Sequence, residues 1–205
     1  IPGGPPAARV LLEALEARSP LPEDAVWASF QDQRMICAGM LAPTAGRTAT
    51  LLSGPHTHTS SACLLIERLL EVAKGWDVDL VQALQRPQDK AATAAHLGGG
   101  LEQLADLHTL IARLPRRPQT RTLPGRLSLV PASDEELIEV LEATYVDTAD
   151  CPKLQGLRRT QDILSGHRSG GKVHDDLWVK ICEGQQDVGC ILVTCGERDS
   201  SDLAY

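Results

Sequence analysis

Apolar residues fall on alternate positions in residues 175–195, DDLWVKICEGQQDVGCILVTC, where Leu177, Val179 and Ile181 interleave with Trp178, Lys180 and Cys182 and a second apolar run begins at Val188. A period of two sends successive side chains to opposite faces of a pleated strand. The polar Glu183-Gly184-Gln185-Gln186 between the runs predicts a hairpin whose glycine is free to take a positive φ. A weaker copy occupies residues 26–42, VWASFQDQRMICAGMLA, with a polar break at 31–34, so that Trp27 to Gly39 parallels Trp178 to Gly189. Two such ribbons about 150 residues apart suggest a duplicated α/β unit.

Elsewhere the period lengthens to that of a helix. Residues 7–18, with Val10, Leu11 and Leu15 on one side, predict a helix stopped at Ser19-Pro20. A third strand at 48–53 is followed by the loop 54–61, GPHTHTSS, whose last serines are expected to cap a helix over 62–74 burying Leu65, Ile66, Leu69 and Val72. A strand at 78–84 and a helix at 89–97 come next, the helix bounded by Pro87 ahead and three glycines behind. Residues 126–130 alternate as a strand. Ser133-Asp134-Glu135-Glu136 is a capping box opening a helix through Tyr145 with Leu137, Val140, Leu141 and Thr144 as its buried stripe. A loop over 147–157 carries the stiff Asp150-Cys151-Pro152, and a short helix is expected at 160–167. The stripe Leu101, Leu104, Leu107, Ile111, Leu114 fits a helix by spacing alone.

Composition narrows the class. A chain of 205 residues, 42% hydrophobic and 23% charged, is long enough to bury a real core as one large or two small domains. Aromatics make up only 3%, so Leu, Val, Ile and Ala must fill that core. The formal net charge of -7 argues against a nucleic-acid partner, since phosphate neutralisation needs a basic face. The Arg- and Pro-rich 113–126 reads as a solvated linker. With no apolar run of membrane-crossing length, no secretory h-region and six scattered cysteines without a CxxC pair, the expectation is a soluble cytoplasmic protein with reduced thiols, no membrane partner and an open oligomeric state.

The order of elements, together with 143–167 (ATYVDTADCPKLQGLRRTQDILSGH), LWVKICEGQQDVGCILVT and DLAY, resembles the GNAT superfamily of acyl-CoA-dependent N-acetyltransferases, in the bacterial form with two tandem copies. The resemblance implies an α/β (α+β) fold of two tandem units with mixed, mostly antiparallel sheets flanked by helices. Residues 1–114 would be a degenerate unit incomplete at its start, 115–125 a linker, and 126–205 the first half of a second unit, incomplete at its end. It also implies that 101–114 is a closing strand rather than a helix. The implied activity is transfer of an acetyl group from acetyl-CoA, as co-substrate, to an amine acceptor. Leu203, Ala204 and Tyr205 would begin the strand whose N–H groups polarise the thioester carbonyl. Tyr145, Asp150 and Cys151 would line the acceptor groove. The family's pyrophosphate loop, Gln/Arg-x-x-Gly-x-Gly/Ala, has no counterpart in 54–61, which holds one glycine.

Other constellations have plain readings beside the chemical ones. His56-x-His58 with Cys63 suits zinc in donor type, but three candidates without a fourth fit a solvated loop better, and no metal is expected. Cys151 would need a nearby cation, Lys153 or Arg158, to act as a nucleophile; loop packing is the simpler role. His167 and Arg168 suit the negative end of a helix dipole. Gly39 and Gly189 read as bulges, and no residue is assigned as catalytic acid or base.

Overall fold

The computed structural model describes residues 21–108, 110–113, 125–148, 151–196 and 201–203. The expected helix at 7–18 and linker residues 115–124 lie outside that set. The fold is mixed α/β, with two four-stranded sheets, one mixed and one antiparallel. The chain divides into two compact units between Gln103 and Leu104.

In the first unit β1 (Val26–Gln31), β2 (Arg34–Thr44) and β3 (Thr48–Gly54) form an antiparallel meander, and β4 (Leu80–Gln82) joins β3 in parallel after helix α1 (Thr59–Ala73). Helix α2 (Lys90–Gly98) follows, capped by Asp89, whose carboxylate accepts from the Ala92 N–H at 3.0 Å. A parallel pair needs a crossover, and α1 supplies it while laying Leu65, Ile66, Leu69 and Val72 over Cys37, Leu41, Ala49 and Leu51 of the sheet. The predicted stripe of this helix is the buried one. The serines expected to cap it are not its cap: α1 begins at Thr59, and His58 stands at the cap position without a side-chain bond.

Gly39 is not a bulge. It pairs in register with Trp27, and a Cβ there would meet Leu69 Cδ1 at 2.7 Å and the Leu52 carbonyl at 3.3 Å, so its bare backbone is what lets α1 lie close on β2. Gly189 does sit beside an irregularity in the second ribbon. It faces Ile181, whereas Trp178 faces Leu192. The two ribbons therefore do not superpose residue for residue as their spacing suggested.

In the second unit β5 (Leu127–Pro131), β6 (Lys172–Glu183), β7 (Gln186–Cys195) and β8 (Ser201–Leu203) lie antiparallel in sequence order. Between β5 and β6 come α3 (Asp134–Tyr145), a 3-10 turn at Pro152–Leu154 and α4 (Thr160–Ser169). The capping box forms as read: Ser133 Oγ accepts from the Glu136 N–H at 3.3 Å and Glu136 Oε2 accepts from the Ser133 N–H at 2.9 Å. Leu137, Val140 and Leu141 pack with Leu164, Trp178, Cys190 and Leu192 into a second core. Trp178 is fully buried, and its indole N–H donates to the Val193 carbonyl at 2.9 Å. Arg168 does more than face a dipole. Its guanidinium lies 4.3 Å over the Trp178 ring and pairs with Asp134 in the first turn of α3.

Residues 101–108 and 110–113 are neither strand nor helix, which corrects the expected closing strand. Leu101 still packs on the first core, but Leu107, Leu110 and Ile111 are exposed. With those side chains in water, neither strand pairing nor helix packing offsets the entropy of ordering the segment. Among the described residues no helix is long and apolar enough to cross a membrane.

Candidate functional site

In the first unit two histidines converge on one serine where β3 ends. Ser53, near the end of that strand, places its Oγ 2.9 Å from His56 Nε2 and 3.1 Å from His96 Nε2. His56 comes from the loop after β3, and His96 from α2, whose small residues Ala92 and Ala95 let it lie close beneath. The two rings stand 5.4 Å apart, tilted by 57°. His96 is 4% exposed and His56 is half-buried.

Burial holds both imidazoles below the ordinary histidine range; His56 lowers His96 further, and the Asp89 carboxylate pulls each partly back. His96 Nδ1 has no hydrogen-bond partner of normal geometry, although the Ala92 carbonyl one turn back acts on the ring as an acceptor. The arrangement can share protons across a hydroxyl. His58 is exposed at the helix start, Cys63 lies against Gly98, and among the described residues no group of three metal-type donors comes together.

Beside this cluster an open cleft of about 440 Å³ runs between the β1–β2 turn and the loop, lined by Asp32, Arg34, Met35, Pro55, Thr57 and His58. The loop thus turns His56 inward onto Ser53 while its neighbours wall the cleft.

In comparison with known proteins, no family model matches the chain, and neither curated proteins nor solved structures give a match.

The residues named from sequence are spread over the second unit. Tyr145 ends α3, and its carbonyl accepts from Gln155 Nε2 at 3.3 Å. Cys151 is a free, half-buried thiol with φ 47° just ahead of Pro152. Leu203 is on the edge strand β8, paired with Val193 and exposed. Asp150, Ala204 and Tyr205 lie outside the described residues. The second unit's best-connected polar group was not singled out: Lys180 donates to Glu136 at 2.9 Å and Asp187 at 3.1 Å, and Asp187 also accepts from the Cys182 thiol at 3.2 Å. That contact and burial push the Cys182 thiol up, away from nucleophilic use. Ser53 and His96 were also missed. The available signal was a lone histidine following the alanines 91, 92, 94 and 95 in one short helix.

Proposed function

We propose that this chain carries portions of two acyl-CoA-dependent N-acetyltransferase units, and that the protein moves an acetyl group from acetyl-CoA to an amine. The observation that supports the reading is the complementarity of the two topologies. The second unit runs strand, helix, helix and three antiparallel strands, matching the first six elements of such a fold. The first runs three antiparallel strands, helix, parallel strand and helix, matching elements four to nine. In the proposed reaction the neutral amine attacks the thioester carbonyl and the C–N bond forms. The C–S bond breaks with its electron pair leaving on the sulfur of coenzyme A, which takes up a proton to depart as the thiol, and a carboxylate or water takes the amine proton. Leu203 would then belong to the strand facing the thioester, and Tyr145 with Cys151 to the acceptor side.

A second reading, a binding module that keeps the fold without a working cofactor site, is favoured for the first unit by one observation. Its loop before α1 includes Pro55, which has no N–H to offer a phosphate, and turns His56 inward onto Ser53 instead. Titration calorimetry of the protein with acetyl-CoA separates the readings. Binding heat with a thermal upshift, followed by amine acetylation, is the expected result; neither heat nor shift at millimolar cofactor leaves the module.

A further inference from the structure

The Ser53–His56–His96 cluster has a property independent of acetyl transfer, set by how many protons three polar atoms can share. A serine hydroxyl has one proton to donate and lone pairs to accept with, and a neutral imidazole offers one N–H and one bare nitrogen. In the neutral cluster one Nε2–H donates to Ser53 Oγ, and the Ser53 hydroxyl donates to the other Nε2 across the 2.9 and 3.1 Å contacts. One added proton preserves this pattern, because the imidazolium becomes the donor. A second proton makes both Nε2–H groups donors to the one oxygen, so the Ser53 proton no longer bonds to either ring. Two like charges then face each other with ring centroids 5.4 Å apart, while one of them, on His96, is almost wholly removed from water.

The elements packed around the pair supply little compensation. Ser53 from β3 is neutral, Asp89 at the start of α2 is exposed, and the Ala92 carbonyl reaches only the far side of His96. His96 is almost fully enclosed, whereas His56 is half-buried on the loop after β3 and is the ring with access to solvent.

We propose that Ser53, His56 and His96 form a proton-operated latch that holds loop 54–58 onto β3 and α2, and that double protonation swings the loop out and widens the cleft it shares with the β1–β2 turn. The side chain that unlatches is His56, and the walls that move are Pro55, Thr57 and His58.

Amide hydrogen exchange of the whole chain, corrected for intrinsic rates, tests this at pH 7.5 and 5.5. Segment 54–60 is expected to exchange roughly tenfold faster at the lower pH, in proportion to the protonated fraction. His56→Gln, which keeps a donor and an acceptor but does not titrate, is expected to remove that pH dependence. Equal protection at both pH values, or an acid-induced opening that persists in His56→Gln, overturns the latch. Imidazole NMR of the unmodified chain gives a check that needs no variant. Two separate titration steps, the second coinciding with loop opening, are expected, and a single shared step at the ordinary histidine value contradicts the proposal.

Discussion

Asp32 and Gln33 form the two-residue turn between β1 and β2 with φ of 48° and 63°, so both occupy the left-handed region that costs an L-residue about 1–2 kcal/mol. A reversal was legible in the polar break at 31–34; its strain was not, because no glycine marks it. Gln33→Gly is expected to stabilise the first unit by about 1 kcal/mol. A denaturant midpoint that stays put or falls would contradict this. His96 sets a second residue-scale expectation. Burial lowers its folded pKa, so the unfolded chain binds more protons, and the stability this histidine contributes is full above its unfolded value of about 6.5 and lost as pH drops below it. Urea midpoints for the first unit should decline between pH 7.5 and 5.5, and a flat or rising profile would remove the assignment. Contacts between near neighbours, such as Ser133 with Glu136, could be read from the sequence. The meeting of Ser53 and His96, 43 residues apart, could not, because alanines around His96 give too weak a stripe to mark its buried face.

Strand and helix order was legible wherever side-chain period and end signals agreed. α1 carried its stripe, α3 its capping box, and the β6–β7 ribbon its alternation around Gly184, which takes φ 65°. Residues 101–108 and 110–113 had the period but, beyond Leu101, little surface to cover, and formed neither of the elements considered for them. Gly39 shows the same limit in reverse, since its meaning lies in Leu69 of another element. Gly39→Ala is expected to destabilise the first unit by about 1–3 kcal/mol as the added methyl forces Leu69 and α1 off the sheet. Leu69→Ala in the same background should recover part of that loss, because it removes the 2.7 Å clash; additive losses in a double-mutant cycle would refute the contact. Gly189→Ala meets only Ile181 Cδ1 at 3.7 Å and serves as the near-neutral control.

Among the described residues the two hydrophobic clusters share no member: Ile66, Leu69 and Leu51 belong to one, Leu141, Trp178 and Leu192 to the other. Each is closed by its own sheet and helices, so each unit has the means to unfold as its own cooperative step rather than in one all-or-none transition. Truncating a fully buried aliphatic side chain removes transfer energy and leaves a cavity, about 2–5 kcal/mol for Ile or Leu to Ala. Ile66→Ala should therefore lower one calorimetric transition and Leu141→Ala the other, each leaving its counterpart in place. Two variants that shift a single common transition by similar amounts would show that the cores fold as one body. Acetyl-CoA then becomes a probe of where the proposed cofactor site resides, because a ligand raises only the transition of the unit that binds it. Under the acetyltransferase reading the transition weakened by Leu141→Ala is the one expected to rise, while the one weakened by Ile66→Ala, with Pro55 and His56 in its loop, stays where it was.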